Sequence, residues 1–181
     1  MLVYSAISCI DLDGAIGYKN NLLFKSKIDL QHFKKVTEDK LVILGRKTAD
    51  SIVEMNGTLL PNRTKLILTR DKDYYPNVKK DDSIFIYNSL EHLFFALNII
   101  SNFNHNRGTT EEVIVAGGSE IYKIFEPHLS KIYLTEVSYS YEKKDSYFPV
   151  EMSNFYLDYS EKYIKSDGQG FSINTYIRKD K

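Results

Sequence analysis

A single cysteine, Cys9, among 181 residues excludes an intrachain disulfide framework. It lies in the apolar run Val3–Ile10, where a buried and inert thiol is expected. No run approaches the ~18 apolar residues that a membrane span needs. The start, Met1-Leu2-Val3-Tyr4-Ser5-Ala6, has neither the basic segment nor the apolar stretch of a secretory signal. A cytoplasmic protein is the expectation. Neither sign of charge is in excess: 24 Lys+Arg stand against 24 Asp+Glu, so no general attraction to nucleic acid or anionic membrane is available. A bound anion must be caught by a local cluster. His32, His92, His105 and His128 lack metal-ligand spacing, so no metal site is expected. No Ser-His-Asp or Cys-His arrangement is supported either, and tryptophan is absent.

What is present is the pattern of one α/β domain spanning residues 1–181. Hydrophobic residues at 43% suffice for a core. Strands are predicted at Val3–Ile10, Leu41–Gly45, Lys65–Arg70, Ile84–Tyr87, Val113–Ala116 and Lys131–Val137. Between them lie helical patterns at Ile28–Thr37, about Thr48–Val53, Ser89–Ile100 and Ser119–Phe125. The polar stretch Asn102–Thr110 reads as a mobile loop carrying a solvated His105. Tyr156–Ile164 and Phe171–Arg178, joined across Ser166–Gly170, read as a hairpin. The result is a central, mainly parallel sheet with a C-terminal antiparallel hairpin, flanked by about four helices. No repeat or linker divides the chain.

Three features carry chemistry. Asp29 falls within the apolar arc of the first helix, defined by Leu30, Phe33 and Val36. A carboxylate there resists ionisation and can bind a cationic or amide-like edge. Ser26-Lys27-Ile28-Asp29 also matches a capping box with Asp for the usual Glu, so a helix cap is the other reading. Two strand-to-helix turns follow, Leu44-Gly45-Arg46-Lys47-Thr48 and Ala116-Gly117-Gly118-Ser119-Glu120-Ile121-Tyr122. Each sets a glycine at the carboxyl end of a strand, where free helix amides can meet a phosphate and where open α/β sheets bind ligands. Arg46, Lys47 and Arg70 offer cations for that site, although a solvated charge pair and simple close packing remain open. Neither turn is the GxGxxG fingerprint. Third, Pro61-Asn62 forms a turn that leaves Arg63 at its exit, suited to a carboxylate or merely to the surface.

In this order the segments resemble dihydrofolate reductase. The match runs through Ala6, Asp13-Gly14-Ala15-Ile16-Gly17, Asn21, Asp29-Leu30-x-x-Phe33 and Gly45-Arg46-Lys47-Thr48-x-x-Ser51-Ile52. It continues in Leu60-Pro61-Asn62-Arg63, Gly117-Gly118-x-x-Ile121-Tyr122, Tyr133-Leu134-Thr135 and Asp145-x-x-Phe148-Pro149. Each motif is weak alone; the ordered set is specific.

The resemblance implies an NADPH-dependent oxidoreductase that reduces 7,8-dihydrofolate to tetrahydrofolate, hydride going to C6 and a proton to N5. Such an enzyme supplies one-carbon metabolism and thymidylate synthesis and is a target of antifolates. A monomer acting on a small molecule is implied. Asp29 would hold the pteridine's amidine-like edge, with Thr135 bonding its carboxylate. Ala6, Ile7, Leu22, Phe24, Leu30, Phe33, Ile52, Leu60 and Ala116 would line the substrate site, and Arg63 would grip the glutamate tail. NADPH would meet Ile16, Asn21, Gly45, Arg46, Lys47, Thr48, Thr69 and Arg70 on one side. On the other it would meet Gly117, Gly118, Ser119, Glu120, Ile121 and Tyr122, with a cis Gly117-Gly118 bond.

The chain departs from the family at several points. Leu22-Leu23-Phe24 stands where the active-site loop usually carries Pro-Trp, so Phe24 would fill space without an indole N–H. Ala116 replaces a larger aliphatic, and Ser5 and Ile7 stand where apolar and small residues are usual. Two alternatives share the fold pattern. A pyrimidine reductase of riboflavin synthesis would need neither Asp29 nor Arg63. A catalytically silent nucleotide-binding module would bind NADPH without consuming it.

Overall fold

The computed structural model describes residues 1–179. Strand β1 (Leu2–Ile10) leads through the short strands β2 (Ala15–Tyr18) and β3 (Asn21–Leu22) into helix α1 (Lys27–Thr37). Then come β4 (Leu41–Gly45), α2 (Arg46–Asn56), β5 (Thr64–Leu68), β6 (Ile84–Tyr87) and α3 (Leu90–Asn106). The chain continues through β7 (Glu111–Val115), α4 (Ser119–Phe125), β8 (Leu129–Val137) and β9 (Ser146–Tyr147), and closes with β10 (Phe155–Ile164) and β11 (Gly170–Arg178).

Eight strands form one sheet in the order β10-β11-β8-β1-β7-β4-β5-β6. Pairs from β8 to β6 are parallel, while β11–β8 and β10–β11 are antiparallel, as the C-terminal hairpin pattern predicts. Burial explains the order. The run Leu41-Val42-Ile43-Leu44 is buried along its whole length, which suits a central parallel strand covered on both faces. Ile43, Leu66, Leu93, Leu97 and Phe125 share one core cluster, joining the sheet to α3 and α4. Val42, Leu44, Ala49, Ile67 and Ile114 form another, against which Phe33 and Ile52 from α1 and α2 pack. Strand β10 is exposed over most of its length and carries Asp158, Glu161 and Lys162, as an edge strand requires. Truncating Ile43, Leu44, Ile67 or Ile114, all 0% exposed, would cost about 2–5 kcal/mol each. The carboxyl edge of this sheet is therefore a stiff platform.

Some boundaries differ from expectation. Helix α2 begins at Arg46, directly after Gly45, so both cations sit in its first turn. It ends where Gly57 takes φ +71° and donates to Val53 O. Helix α3, whose Ser89 cap accepts from His92 N–H, runs on to Asn106 through half of the predicted loop. Phe103 continues its apolar spacing, and the Arg107 guanidinium covers that ring at 4.8 Å. His105 is exposed, as expected. The small sheet β3-β2-β9 went unpredicted because strands of two to four residues show no usable periodicity. Among the described residues no helix is long and apolar enough to cross a membrane.

Candidate active site

Because β7 and β4 are neighbours, their two glycine turns lie side by side at the carboxyl edge. Gly45 N–H donates to Gly117 O at 2.7 Å, fastening one turn to the other. The peptide Gly117-Gly118 is cis. Gly117 has φ +106°, and a Cβ there would lie 2.9 Å from Tyr122 Oη. A Cβ on Gly45 would press on Ile121 at 3.2 Å. Neither Gly45 nor Gly118 offers a capping side chain, so the first amides of α2 and α4 are left to face the cleft. That cleft, about 1360 Å³, extends from these turns across the sheet to α1.

One end of the cleft is cationic. Arg46, Lys47 and Arg70 line it together with Gly45, Thr48 and Thr69. Gly117, Gly118, Ser119, Glu120, Ile121 and Tyr122 form the facing wall, and Ile16 and Asn21 approach from the small sheet. Arg46 is held from behind: it reaches Asp50 at 3.4 Å and lies over the Tyr74 ring at 6.0 Å. Tyr74 Oη in turn donates to Asp50 at 2.7 Å. Ser119 Oγ donates to Tyr147 O at 2.6 Å, tying α4 to the small sheet. Buried Tyr122 donates to Ile7 O at 2.6 Å, and burial pushes its phenol well up. The second glycine turn is thereby locked to β1.

The other end is apolar around one carboxylate. Ile7, Leu22, Leu30, Phe33, Ile52, Leu60 and Ala116 line it with Asp29. The capping reading of Asp29 fails: Ser26 makes no side-chain cap, and Asp29 Oδ1 instead accepts from Thr135 Oγ1 at 2.6 Å. Burial pushes the Asp29 carboxyl up, and the Thr135 hydrogen bond only partly opposes it. Thr135 is itself buried and reaches the cleft through this bond.

Arg63 borders the same cleft and is not a surface residue, being 6% exposed. Its guanidinium donates to Pro61 O at 2.5 Å, Lys34 O at 2.8 Å and Thr37 Oγ1 at 3.1 Å. All three acceptors are neutral, and among the described residues Arg63 forms no ion pair. A buried, uncompensated cation at the edge of a cleft attracts an anion.

Two expected substrate residues lie elsewhere. Ala6 is fully buried in the core cluster with Ile43 and Leu134, because β1 alternates and turns Ala6 to the opposite face from Ile7, which lines the cleft. Phe24 is 3% exposed and packs with Val137, Phe171 and Ile173, its ring 5.0 Å from that of Phe171. It braces the loop from behind and does not line the cleft, which leaves Leu22 at its rim. Cys9, expected to be buried, is only partly so and lines the cleft; burial pushes its thiol well up, with the Asp29 charge adding to it. Sequence reasoning also missed Ser8, Lys34, Ser51 and Met55 in the lining. Ser51 and Met55 follow Lys47 and Ile52 at helical spacing, a signal that could have found them.

The Ser5 departure has a physical account. Ser5 Oγ donates to Glu112 at 2.6 Å, beside bonds to that carboxylate from Lys40 and Tyr133. Burial pushes Glu112 up, but Lys40 and Ser5 outweigh it and hold the carboxyl low.

The family model for dihydrofolate reductase matches residues 3–178. The chain is 34% identical to the dihydrofolate reductase of Staphylococcus haemolyticus over 177 residues, covering 97% of this chain and 95% of that one. It is 31% identical to the Bacillus subtilis enzyme of the same name, over 90% of this chain and 86% of that one. A solved dihydrofolate reductase from Enterococcus faecalis, complexed with NADP(H), superposes with a TM-score of 0.78. That likeness covers 98% of this chain and 97% of the other at 24% identity, and concerns the fold.

Proposed function

The chain belongs to the dihydrofolate reductase family, and on that premise we propose that it reduces 7,8-dihydrofolate to 5,6,7,8-tetrahydrofolate with NADPH. The observation that carries this reading is Asp29: a buried carboxylate, hydrogen-bonded by Thr135, in the apolar end of a cleft whose other end is cationic.

The chain's own groups fit both ligands. At the facing turns a Cβ on Gly45 or Gly117 would crowd Ile121 or Tyr122, so glycine lets the two backbones close on each other, with free amides and three cations beside them. Arg46, Lys47, Thr48, Thr69 and Arg70 would hold the pyrophosphate and 2′-phosphate of NADPH, and Ser119–Tyr122 would cradle the rest. When bound, NADPH supplies the hydride. Asp29 accepts hydrogen bonds from the amidine-like edge of the pteridine, and Thr135 fixes the direction of that carboxylate. Leu22, Leu30, Phe33, Ile52 and Ile7 keep bulk water from the ring, which strengthens the electrostatic effect of Asp29. Arg63 takes the α-carboxylate of the glutamate tail, its fork already oriented by Pro61, Lys34 and Thr37. Asp29 does not attack the ring; it polarises it so that a solvent proton is accepted at N5.

A cytoplasmic setting accords with a nicotinamide nucleotide as reductant. The test is direct: mixing protein, NADPH and dihydrofolate should bleach the nicotinamide absorbance in proportion to protein. Binding of NADPH without consumption would mark a silent nucleotide-binding module instead.

A further inference from the structure

The seam between helix α1 and strand β8 holds a second contact behind the site. Asp29 meets Thr135 at one rung. One turn on along α1, and two residues back along β8, His32 meets Tyr133, with ring centroids 6.0 Å apart and planes at 66°. Residues three apart on a helix and two apart on a strand share a face, so both rungs join the same two surfaces. Tyr133 is fixed from its other side. Its Oη donates to Glu112 at 3.1 Å, and its ring packs on the cluster that Phe33 and Val36 of α1 also cover. His32 is less well provided for. The residue is half-buried, and its Nε2 is buried with no hydrogen-bond partner among the described residues.

We propose that His32 is a positioning residue for Asp29: its neutral ring seats α1 on Tyr133, and its protonation unseats that helix and loosens the Asp29–Thr135 bond. The groups around the ring decide this. A charged imidazole carries N–H on both nitrogens, so Nε2 becomes a buried donor without an acceptor. Tyr133 gives the charge no refuge, because Lys131 Nζ already lies 5.4 Å from the centroid of that ring and donates to its Oη at 3.4 Å. Glu112 is engaged by Lys40, Ser5 and Tyr133. Burial favours the uncharged form of Asp29, which weakens any pull from that side. Burial also holds the His32 pKa below its ordinary value; Lys35 of α1 adds to this, and Glu161 of β10 opposes both. Glu161 is exposed on the edge strand, where Tyr159 Oη donates to it at 3.3 Å. A protonated ring is therefore pushed off Tyr133 and drawn outward toward Glu161, away from the seam. The helix that carries Asp29 follows it. At neutral pH the ring is uncharged and the seam closed, and it opens as pH falls through the lowered pKa.

The test follows one resonance and one constant on the whole chain. The His32 imidazole signal in proton NMR, assigned by its loss in His32→Phe, should titrate below the ordinary value of about 6.5. Across that titration KM for dihydrofolate, normalised in each protein to its own value at about pH 8, should rise about threefold or more. KM for NADPH should not follow. In His32→Phe and in His32→Gln this step should disappear, leaving the titration of Asp29 alone. Glu161→Gln alters an exposed residue outside the cleft and should move resonance and KM step together to lower pH, by about 0.2–0.7. A side chain that merely fills the seam would instead raise KM at every pH and be indifferent to Glu161→Gln, and that pattern would overturn the proposal. The kinetic readout rests on the proposed reduction. If NADPH binds and is not consumed, that reading fails, and the dissociation constant of dihydrofolate takes the place of KM. Three further results would sink the role of His32: a resonance that titrates with no change in KM, the same KM course in His32→Phe as in the parent, or a ring that stays uncharged until the fold melts.

Discussion

Thr135 Oγ1 donates a 2.6 Å hydrogen bond to Asp29 Oδ1, joining an interior strand of the sheet to a helix residue 106 positions earlier in the chain. This bond removes Asp29 from helix capping and aims it into the cleft. Two consequences can be measured on one variant. Asp29→Asn should lower turnover at neutral pH by about 10²-fold or more, the range for a positioned acid–base group. Its effect on stability has the opposite sign. Burial raises the Asp29 pKa above its ordinary value, so the folded protein takes up the proton before the unfolded chain does. The ionised form then costs stability at neutral pH, and that cost fades as pH falls through the raised pKa. Asp29→Asn should thus melt higher than the parent at neutral pH, the gain shrinking in acid; each 1 kcal/mol reads as about 2–4 °C. A variant that melts lower and keeps its rate would return Asp29 to a structural role.

Arg46 should discriminate between cofactors. It is the cleft cation backed by Asp50 and stacked near Tyr74, so its head is oriented before any nucleotide arrives. Charge-assisted hydrogen bonds contribute on the order of 1.5–3 kcal/mol. Arg46→Ala should weaken NADPH binding about tenfold or more and leave NADH nearly unchanged. Asp50→Asn should act in the same sense but more mildly, by loosening the arginine. Equal losses for both cofactors would assign Arg46 to the pyrophosphate or to the fold.

Much of this arrangement is legible in the sequence, and the misses have physical causes. Leu41–Leu44 and the glycine after it fix both a central strand and the place of the first turn, because apolar run and helix start are local signals. Asp29 was ambiguous because a capping box and a buried site acid share one local pattern; only its pairing with Thr135, on a distant strand, separates them. Lys65 illustrates the same limit. It is fully buried within β5 and bonded to Asp81 at 2.7 Å, in a strand whose alternation gives no hint of a buried ammonium. Long-range partners decide such residues, and no window of sequence contains them.

Arg63 should prove two-sided. Its guanidinium binds Lys34 O and Thr37 Oγ1 at the last turn of α1, so it closes that helix as well as facing the cleft. Arg63→Ala should weaken folates carrying glutamate far more than a bare pterin, by several kcal/mol for a carboxylate that loses its cation. It should also lower stability by about 1–3 kcal/mol through the unsatisfied acceptors. Comparing the two ligands separates these effects, since a purely structural loss would weaken both alike.

The last prediction concerns Phe24, which aligns with the position where the family's loop carries its aromatic cover. Here the ring sits against Phe171, Val137 and Ile173, with Lys165 Nζ 5.3 Å above it. A lid residue would lose catalysis when truncated and keep its stability; a buried brace should do the reverse. Phe24→Ala should therefore cost about 3–5 kcal/mol, a fall in Tm of roughly 6–20 °C for a chain of this size. Measured well below that Tm, KM for dihydrofolate should stay within a few-fold, because the cleft wall beside the substrate is Leu22, not Phe24. Phe24→Trp should destabilise as well, by about 1–3 kcal/mol, since the larger ring must enter a filled cluster. The outcome that would sink this reading is a Phe24→Ala protein as stable as its parent but with a large rise in KM. Such a result would bring the ring back over the substrate and make the brace a resting position of a loop that closes when ligand binds.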